Sequence, residues 1–188
     1  MVLAVVPAKN HSRRLPNKNF RDFAGRPLYL WSVLQAVSCP VISDVVVSTD
    51  RTGIKGEIQS AGAIYIQRPP MLAQHDTPTA DAVLHAVWEY NRKTKKTPEV
   101  IVLLQPTSPI RSADFISHIV GYQNAYTVTP EGNPSGTVYV TSYKRLQACR
   151  RFIGIEVPDP GGVDIDTLED FAEAEWRVLD MMKHCGVK

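Results

Sequence analysis

The sequence predicts an α/β fold in which a mostly parallel sheet is covered by helices on both faces. Short apolar runs alternate along the chain with segments of helical periodicity. The first run, residues 2–6, ends at Pro7 and is typical of a strand that is buried on both faces. When helices separate such strands, right-handed crossovers build a parallel sheet, and ligands bind beyond the carboxyl ends of its strands. The chain has no repeat, linker or low-complexity tract, so we expect a single domain over residues 1–188.

The alternation can be followed element by element. The predicted strands are 2–6, 44–48, 63–66 and 99–104, followed by a turn at 132–136 and a short strand at 137–141. The predicted helices are 27–37 and 53–61, and three more that begin at Thr79, at Ser112 and at Asp166 or Thr167. In the helix from Thr79, apolar residues recur on one face at the spacing of an amphipathic helix. We expect three loops at the carboxyl edge of the sheet: the loop after the first strand, residues 105–111 and residues 161–167.

Composition and charge exclude several classes of protein. The 21 Lys and Arg residues and 19 Asp and Glu residues give a net charge of +2, too close to neutral for a general nucleic-acid-binding surface. No segment approaches the roughly 18 apolar residues of a membrane helix, and the N-terminal apolar run is too short for a signal peptide. Cys39, Cys149 and Cys185 are far apart and lack metal-ligand spacing, which predicts reduced thiols in a cytoplasmic protein.

The loop after the first strand is strongly basic. Residues 7–19 contain Lys9, Arg13, Arg14 and Lys18 and no acidic residue. Lysine and arginine in a loop that leaves a buried strand can neutralise the oxygens of a polyphosphate. The loop has neither the GxxxxGK[ST] nor the GxGxxG pattern. Charge alone therefore allows two interpretations, a polyphosphate site or a solvated basic loop.

Asp164 and Asp166 form a second candidate site. Two carboxylates at i and i+2 in an extended chain point to the same side, so both can face one cation. Mg²⁺ is bound by one or two protein carboxylates together with phosphate oxygens and water. The alternative interpretation is that Asp166 caps the helix that follows, and both can hold at once.

Several segments resemble the CMP-sugar synthetases, the acylneuraminate and Kdo cytidylyltransferases, in the order that this family has them. They are PAKNHSRRLPNKN at 7–19, VSTD at 47–50, Arg68-Pro69 with Leu72-Ala73, TPT at 77–79 ahead of Leu84-His85-Ala86, LLQPTSPIR at 103–111, and DIDT at 164–167 followed by Glu169-Asp170-Phe171. The form LQPTSP is more similar to the acylneuraminate branch. The resemblance implies a Rossmann-like three-layer sandwich of the nucleotide-diphospho-sugar transferase type. It also implies transfer of CMP from CTP to the anomeric hydroxyl of an acidic sugar, with release of pyrophosphate.

The resemblance also implies roles for individual residues. The nucleotide would be bound by Lys9, Asn10, Ser12, Arg13, Lys18, Asn19, Arg68 and Thr79. Lys18, Arg13 and Asp166 would act in catalysis, and Asp164 and Asp166 would bind Mg²⁺. Gln105 would lie near the sugar, or between the sugar and the nucleotide. The residues alone also allow Arg68 to be an exposed arginine and Gln105 a loop amide. No general base is needed, because positioning and charge neutralisation dominate such transfers.

One segment departs from the family. Between Pro109 and Gly136 the family carries a longer insertion that supplies a dimerisation arm and sugar-binding residues. We therefore expect a monomer or a weak homodimer, and Arg111, Lys144 and Arg145 as candidate replacements for binding an acidic acceptor. Two alternatives stay open: activation of a different small acid, such as a Kdo-like sugar or a phosphonate, and a non-catalytic nucleotide-binding protein. We expect neither nucleic acid nor membrane as a partner.

Overall fold

The computed structural model describes residues 1–159 and 161–184. Its strands are β1 (Val2–Pro7), β2 (Asp22–Phe23), β3 (Arg26–Pro27), β4 (Asp44–Thr49), β5 (Ile64–Gln67), β6 (Val100–Leu103), β7 (Ala125–Val128), β8 (Pro134–Ser142) and β9 (Ile155–Pro158). Its helices are α1 (Leu28–Ser38), α2 (Lys55–Ser60), α3 (Thr79–Thr94), α4 (Ala113–Val120), α5 (Tyr143–Cys149) and α6 (Leu168–His184). Cys185, and with it the end of the predicted domain, lies outside the described residues.

The central sheet has the order β5-β4-β1-β6-β8-β7-β9, while β2 and β3 form a separate hairpin. The strands β5, β4, β1 and β6 pair in parallel. Strand β8 is antiparallel to both of its neighbours, and β9 is parallel to β7. The predicted mostly parallel α/β fold is confirmed.

The four predicted parallel strands lie within two residues of their expected bounds, whereas the region after them differs. Only the first two residues of the turn predicted at 132–136 lie outside a strand, because β8 begins at Pro134 and runs to Ser142. Strands β7 and β9 and helix α5 were not predicted. Strand β9 lies at the sheet edge with Ile155 exposed, so its sequence lacks the continuous apolar run of a buried strand.

Alternate residues of β1 face two different apolar clusters. Ala4 and Val6 pack in the cluster that contains α1, and Leu3 and Val5 pack in the cluster that contains α3. All four are fully buried. Burial on both faces is what made this strand recognisable as a continuous apolar run.

A third cluster fixes α6 beside the loop that follows β1. Phe171 of α6 packs edge to face on Phe23 of the β2–β3 hairpin, with ring centroids 5.2 Å apart. Leu15 from the basic loop and Ile165 from the segment before α6 are buried in the same cluster. The basic loop and the Asp164–Asp166 segment are therefore anchored by one group of apolar side chains.

The cap of α6 is Thr167. Its hydroxyl accepts a hydrogen bond from the Asp170 amide at 3.1 Å, and the Asp170 carboxylate accepts from the Thr167 amide at 2.8 Å. This is a reciprocal capping arrangement. Of the two predicted caps, Thr167 is the one observed, and the carboxylate of Asp166 makes other contacts.

Cys39 is buried and Cys149 is exposed, and both carry free thiols. Among the described residues no helix has the length and apolar character needed to cross a bilayer.

Candidate active site

The candidate site lies at the carboxyl edge of the parallel strands, where neighbouring strands end beside polar residues. Lys9 follows β1 and Asp50 follows β4. Arg68 follows β5 and Gln105 follows β6. The loop 161–167 follows β9 at the same edge. The three loops predicted to reach this edge therefore lie there.

Three adjoining cavities share Lys9 and together form a cleft. The outer cavity has a volume of about 370 Å³, within the range of small-molecule sites. It is lined by Lys9, His11, Ser12, Arg13, Asp50, Pro70, Ala73, Gln74 and His75. The inner cavity is lined by Pro7, Lys9, Arg68, Leu72, Gln74, Thr77, Thr79, Ala82 and Gln105. The loop cavity is lined by Lys9, Ser12, Arg13, Arg14, Leu15, Lys18, Asn19, His75, Thr107 and Asp166.

Hydrogen bonds hold the basic loop across this cleft. The Ala8 amide donates to the Ser48 carbonyl at 2.9 Å and so extends the pairing of β1 with β4. The buried Asn19 amide donates to the Lys9 carbonyl at 2.9 Å, which closes the loop on itself. The backbone amide of Asn10 donates to the Asp50 carboxylate at 2.7 Å. Asn10 therefore shapes the loop, and its side chain is not among the groups that line the cleft.

The cleft is a region of electrostatic repulsion between cations. Burial lowers the pKa of Lys9, and the positive charges of Arg68, Lys18 and Arg13 lower it further. The carboxylate of Asp50 acts in the opposite direction. A polyanion bound here would relieve this repulsion, so the arrangement favours a polyphosphate over a solvated loop.

Arg68 is buried rather than exposed, with 4% of its surface accessible. Its Nε donates to Ser48 Oγ at 3.1 Å, and Nη2 donates to the Ser48 carbonyl at 2.6 Å. Burial lowers its pKa to about 10. Among the described residues no carboxylate forms an ion pair with it, so its charge is available to a ligand in the inner cavity.

Acidic residues lie at the other end of the cleft. Asp166 pairs with Lys18 (Oδ1 to Nζ, 3.1 Å) and with Arg14 (Oδ2 to Nη1, 2.5 Å). The Ile165 amide donates to the Thr107 carbonyl at 2.8 Å, which ties this segment to the loop after β6. Burial raises the pKa of Asp164, and the negative charge of Asp166 raises it further. The hydrogen bond from the Thr107 side chain acts in the opposite direction and lowers this pKa.

These two carboxylates fit one divalent cation held jointly with phosphates. Their oxygens are the hard donors that Mg²⁺ prefers, and a cation would relieve the repulsion between Asp164 and Asp166. In the part of the chain that is described, no group of three or more His, Cys, Asp or Glu residues could hold a metal alone. Mg²⁺ binding by Asp164 and Asp166 therefore stays a prediction, in which substrate oxygens complete the coordination.

Arg111 does not reach the cleft, contrary to its expected role in binding an acceptor. It is 9% exposed, and its guanidinium donates to Gln35 Oε1 (3.0 Å), to the Thr137 carbonyl (2.6 Å), to the Gln105 carbonyl (3.1 Å) and to the Ser32 hydroxyl. Burial lowers its pKa to about 9. Its donors are used inside the protein, so it supports the loop that carries Gln105.

Lys144 and Arg145 lie at the wrong edge of the sheet for acceptor binding. Both are on α5, which begins where β8 ends. Because β8 is antiparallel to β6, its last residue, Ser142, pairs with Val100 at the start of β6. The two exposed cations are therefore at the amino edge of the parallel strands, opposite the cleft.

Asp50, His75 and Thr107 line the cavities although no role was assigned to them from the sequence. Arg14, which was expected only as part of the basic loop, pairs with Asp166. Asp50 could have been identified, because it follows the second parallel strand and so must lie at the carboxyl edge. His75 follows no strand, and its position depends on the loop before α3.

The mostly parallel sheet carries a cationic cleft with acidic residues beside it at its carboxyl edge, which is where α/β sheets bind ligands. The sequence profile of the cytidylyltransferase family matches residues 3–146, most of the chain, and the chain belongs to this family. Its relatives include the CMP-N,N'-diacetyllegionaminic acid synthase of Legionella pneumophila, 36% identical over 63% of this chain and 51% of that protein. The N-acylneuraminate cytidylyltransferase of Escherichia coli is 30% identical over 71% of this chain and 32% of that protein.

These relatives confirm the resemblance to CMP-sugar synthetases. The chain spans about half the length of the Legionella relative and about a third of the length of the Escherichia relative. Solved structures show the same fold over nearly the full length of this chain. A CMP:2-keto-3-deoxy-manno-octonic acid synthetase complexed with CTP has a TM-score of 0.68 at 16% identity, over 96% of this chain and 99% of that one. A cytidylyltransferase from Leptospira borgpetersenii has a TM-score of 0.68 at 14% identity, over 98% and 94%.

Proposed function

We propose that this protein transfers CMP from CTP to the anomeric hydroxyl of a nonulosonic acid and releases pyrophosphate. The observation that carries the proposal is the convergence of Lys9, Arg13 and Lys18 on one cleft, with Asp166 paired to Lys18 beside them. The relatives that activate legionaminic and acylneuraminic acids support this acceptor class.

The cavities suggest how CTP would lie. Its phosphates would occupy the outer and loop cavities against Lys9, Arg13 and Lys18, and its cytosine the inner cavity beside Arg68 and Thr79. The acceptor would approach from the side of Gln105. Its hydroxyl oxygen bonds to the α-phosphorus as the bond to the pyrophosphate oxygen breaks, and the hydroxyl proton passes to water. The cations stabilise the charge of the leaving group.

Mg²⁺ held by Asp164 and Asp166 would supply further neutralisation of phosphate charge. Lys18 would be a catalytic cation in this arrangement. It is almost fully buried, and its Nζ donates to the Ile165 carbonyl and to Asp166, so its ammonium group is held in one position. Preorganised charge of this kind is what lowers the barrier in such transfers.

Nucleotide selectivity is the first test. Calorimetric titration with CTP, UTP, ATP and GTP in the presence of Mg²⁺ should show the tightest binding for CTP. Equal or tighter binding of ATP would contradict the assignment of the inner cavity to cytosine.

Turnover is the second test. Pyrophosphate release from CTP should be measured with N-acylneuraminate, N,N'-diacetyllegionaminic acid, pseudaminic acid and 3-deoxy-manno-octulosonate as acceptors. We expect release with one of the first three. Release with none of the four, although CTP binds, would favour a non-catalytic nucleotide-binding protein.

The proposal includes the assembly and the location of the protein. We propose a single domain over residues 1–188 that is a monomer or a weak homodimer and acts in the cytoplasm, where CTP is made. Light scattering over a concentration series tests the assembly, and a dimer that persists at nanomolar concentration would contradict it.

A further inference from the structure

Both carboxylate oxygens of Asp166 are engaged by cations, but the two cations differ. Lys18 holds Oδ1 from a side chain that is 9% exposed, and it also donates to the Ile165 carbonyl. Arg14 holds Oδ2 at 2.5 Å from a side chain that is 70% exposed. In the described residues Arg14 has no other hydrogen-bond partner. Lys18 is therefore a fixed partner of Asp166, and Arg14 is one that can leave.

The position of Arg14 makes it a competitor for a metal ion. While its guanidinium contacts Oδ2, a divalent cation that approaches this oxygen is repelled by the guanidinium charge and has to compete with it. Arg14 also lines the loop cavity together with Arg13 and Lys18, so a bound polyphosphate would offer it a second partner. A triphosphate carries more negative charge than one carboxylate, and its oxygens match the guanidinium fork. It would therefore compete well with Asp166 for Arg14.

We propose that Arg14 is an exchangeable counter-ion that occupies Asp166 in the nucleotide-free protein and transfers to the triphosphate when CTP binds. Its departure frees Asp166 Oδ2 for the divalent cation. This inference rests on the proposed function, because it takes the ligand of the loop cavity to be a nucleoside triphosphate. It adds that the protein without nucleotide binds the cation weakly, and that nucleotide and cation each favour the binding of the other.

The test is titration of Mn²⁺, a paramagnetic substitute for Mg²⁺, into the nucleotide-free protein, with free Mn²⁺ counted by electron paramagnetic resonance. Arg14→Gln should bind Mn²⁺ about two- to fivefold more tightly than wild type, the range that corresponds to an exposed ion pair. Arg150→Gln is the matched control, because Arg150 forms a similarly exposed ion pair with Asp81 at 2.6 Å. It should bind Mn²⁺ as wild type does.

Two further measurements make the result specific. Adding Asp166→Asn to Arg14→Gln should abolish the gain in Mn²⁺ affinity, which assigns the gain to Asp166. Arg14→Gln should also bind CTP several-fold more weakly in the presence of a chelator, because it lacks the cation that moves to the phosphates.

An unchanged or weaker Mn²⁺ affinity in Arg14→Gln would overturn the inference, even if its CTP affinity falls. That pattern would mean that Arg14 binds the phosphates of CTP but is not the exchangeable counter-ion of Asp166. The failure of the proposed function gives a different pattern: CTP does not bind to wild type, while the Mn²⁺ result is obtained without any nucleotide.

Discussion

The strands β5, β4, β1 and β6 share a sheet with β8, β7 and β9, but the two groups are stabilised in different ways. The parallel group buries apolar side chains such as Val5, Val46 and Ile101. The second group buries a polar network, in which Ser135 donates to Thr127 Oγ1 at 2.6 Å and Thr137 donates to the Asp159 carboxylate. Arg111 donates to the Thr137 carbonyl and so joins this network to the loop of Gln105.

The difference separates two parts of the site. The residues proposed to bind the nucleotide follow apolar strands whose positions depend on non-directional packing. Gln105, proposed to meet the acceptor, follows β6, but its backbone carbonyl also accepts a hydrogen bond from Arg111 and so depends on the polar network, in which each missing partner leaves a buried polar group unsatisfied. Substitutions should therefore act locally in the first part and through the network in the second.

The largest effect is expected for Asp166→Asn. Turnover should fall by about a thousandfold, as when a preorganised electrostatic group is removed from an active site. The fold should be retained, because Thr167 and not Asp166 caps α6. The matched control, Thr167→Ala, should lose about 1 kcal/mol of unfolding free energy and keep its turnover. Turnover and thermal unfolding of both variants distinguish the outcomes, and full activity in Asp166→Asn would remove the metal role.

The second largest effect is expected when the polar network of β7, β8 and β9 is disrupted. Arg111→Met should lower the unfolding free energy by about 3 kcal/mol, because the variant leaves buried acceptors without donors. Arg111→Lys should restore only part of it, since an ammonium group cannot reproduce the guanidinium fork. Denaturant unfolding gives both values. If Arg111→Met is as stable as wild type, the network is not what stabilises this half of the sheet.

The proposed nucleotide-binding part of the cleft is tested by Lys18→Ala. Loss of a charge-assisted hydrogen bond costs about 1.5–3 kcal/mol, so CTP should bind roughly ten- to a hundredfold more weakly. Lys96→Ala is a suitable control, because Lys96 is an exposed lysine paired with Asp44 at the opposite edge of the sheet. Calorimetry on folded Lys18→Ala that gives wild-type affinity would show that the basic loop is ordinary surface.

The smallest effect concerns stability and pH. Burial and neighbouring cations lower the pKa of Lys9, so protonated Lys9 destabilises the folded state below that pKa. Between the lowered pKa and the ordinary value the unfolded chain binds more protons, and this contribution to stability rises with pH. Lys9→Met should therefore unfold at a higher temperature than wild type at neutral pH, and the gain should shrink as the pH approaches about 10. A lower melting temperature of Lys9→Met than of wild type at neutral pH would contradict the inference that cations repel one another in the cleft.

The sequence predicted the parts of the fold that depend on apolar periodicity. The run at β1 and the helix from Thr79 needed no tertiary information, because their patterns reflect burial directly. The position of the basic loop followed from β1 by the carboxyl-edge rule. Resemblance to the family then added Arg68 and Thr79, which line the inner cavity together.

Other features depend on contacts between residues that are distant in sequence. Arg111 looked like an acceptor-binding cation, and only packing against Ser32 and Thr137 shows that it is internal. Lys144 looked equally suitable, and the direction of β8 places it at the far edge. Neither the burial of Arg111 nor the direction of β8 can be obtained from the local sequence.

Gly136, near the start of β8, limits how this site can change. Its φ of +80° is unfavourable for any other residue, and a Cβ there would lie 2.6 Å from the Gln105 side-chain oxygen. Position 136 is therefore closed to other side chains for two separate reasons, and the unfavourable backbone conformation remains whatever residue stands at 105. A lineage or a designer seeking a different acceptor would have to vary Gln105 itself and leave Gly136 in place.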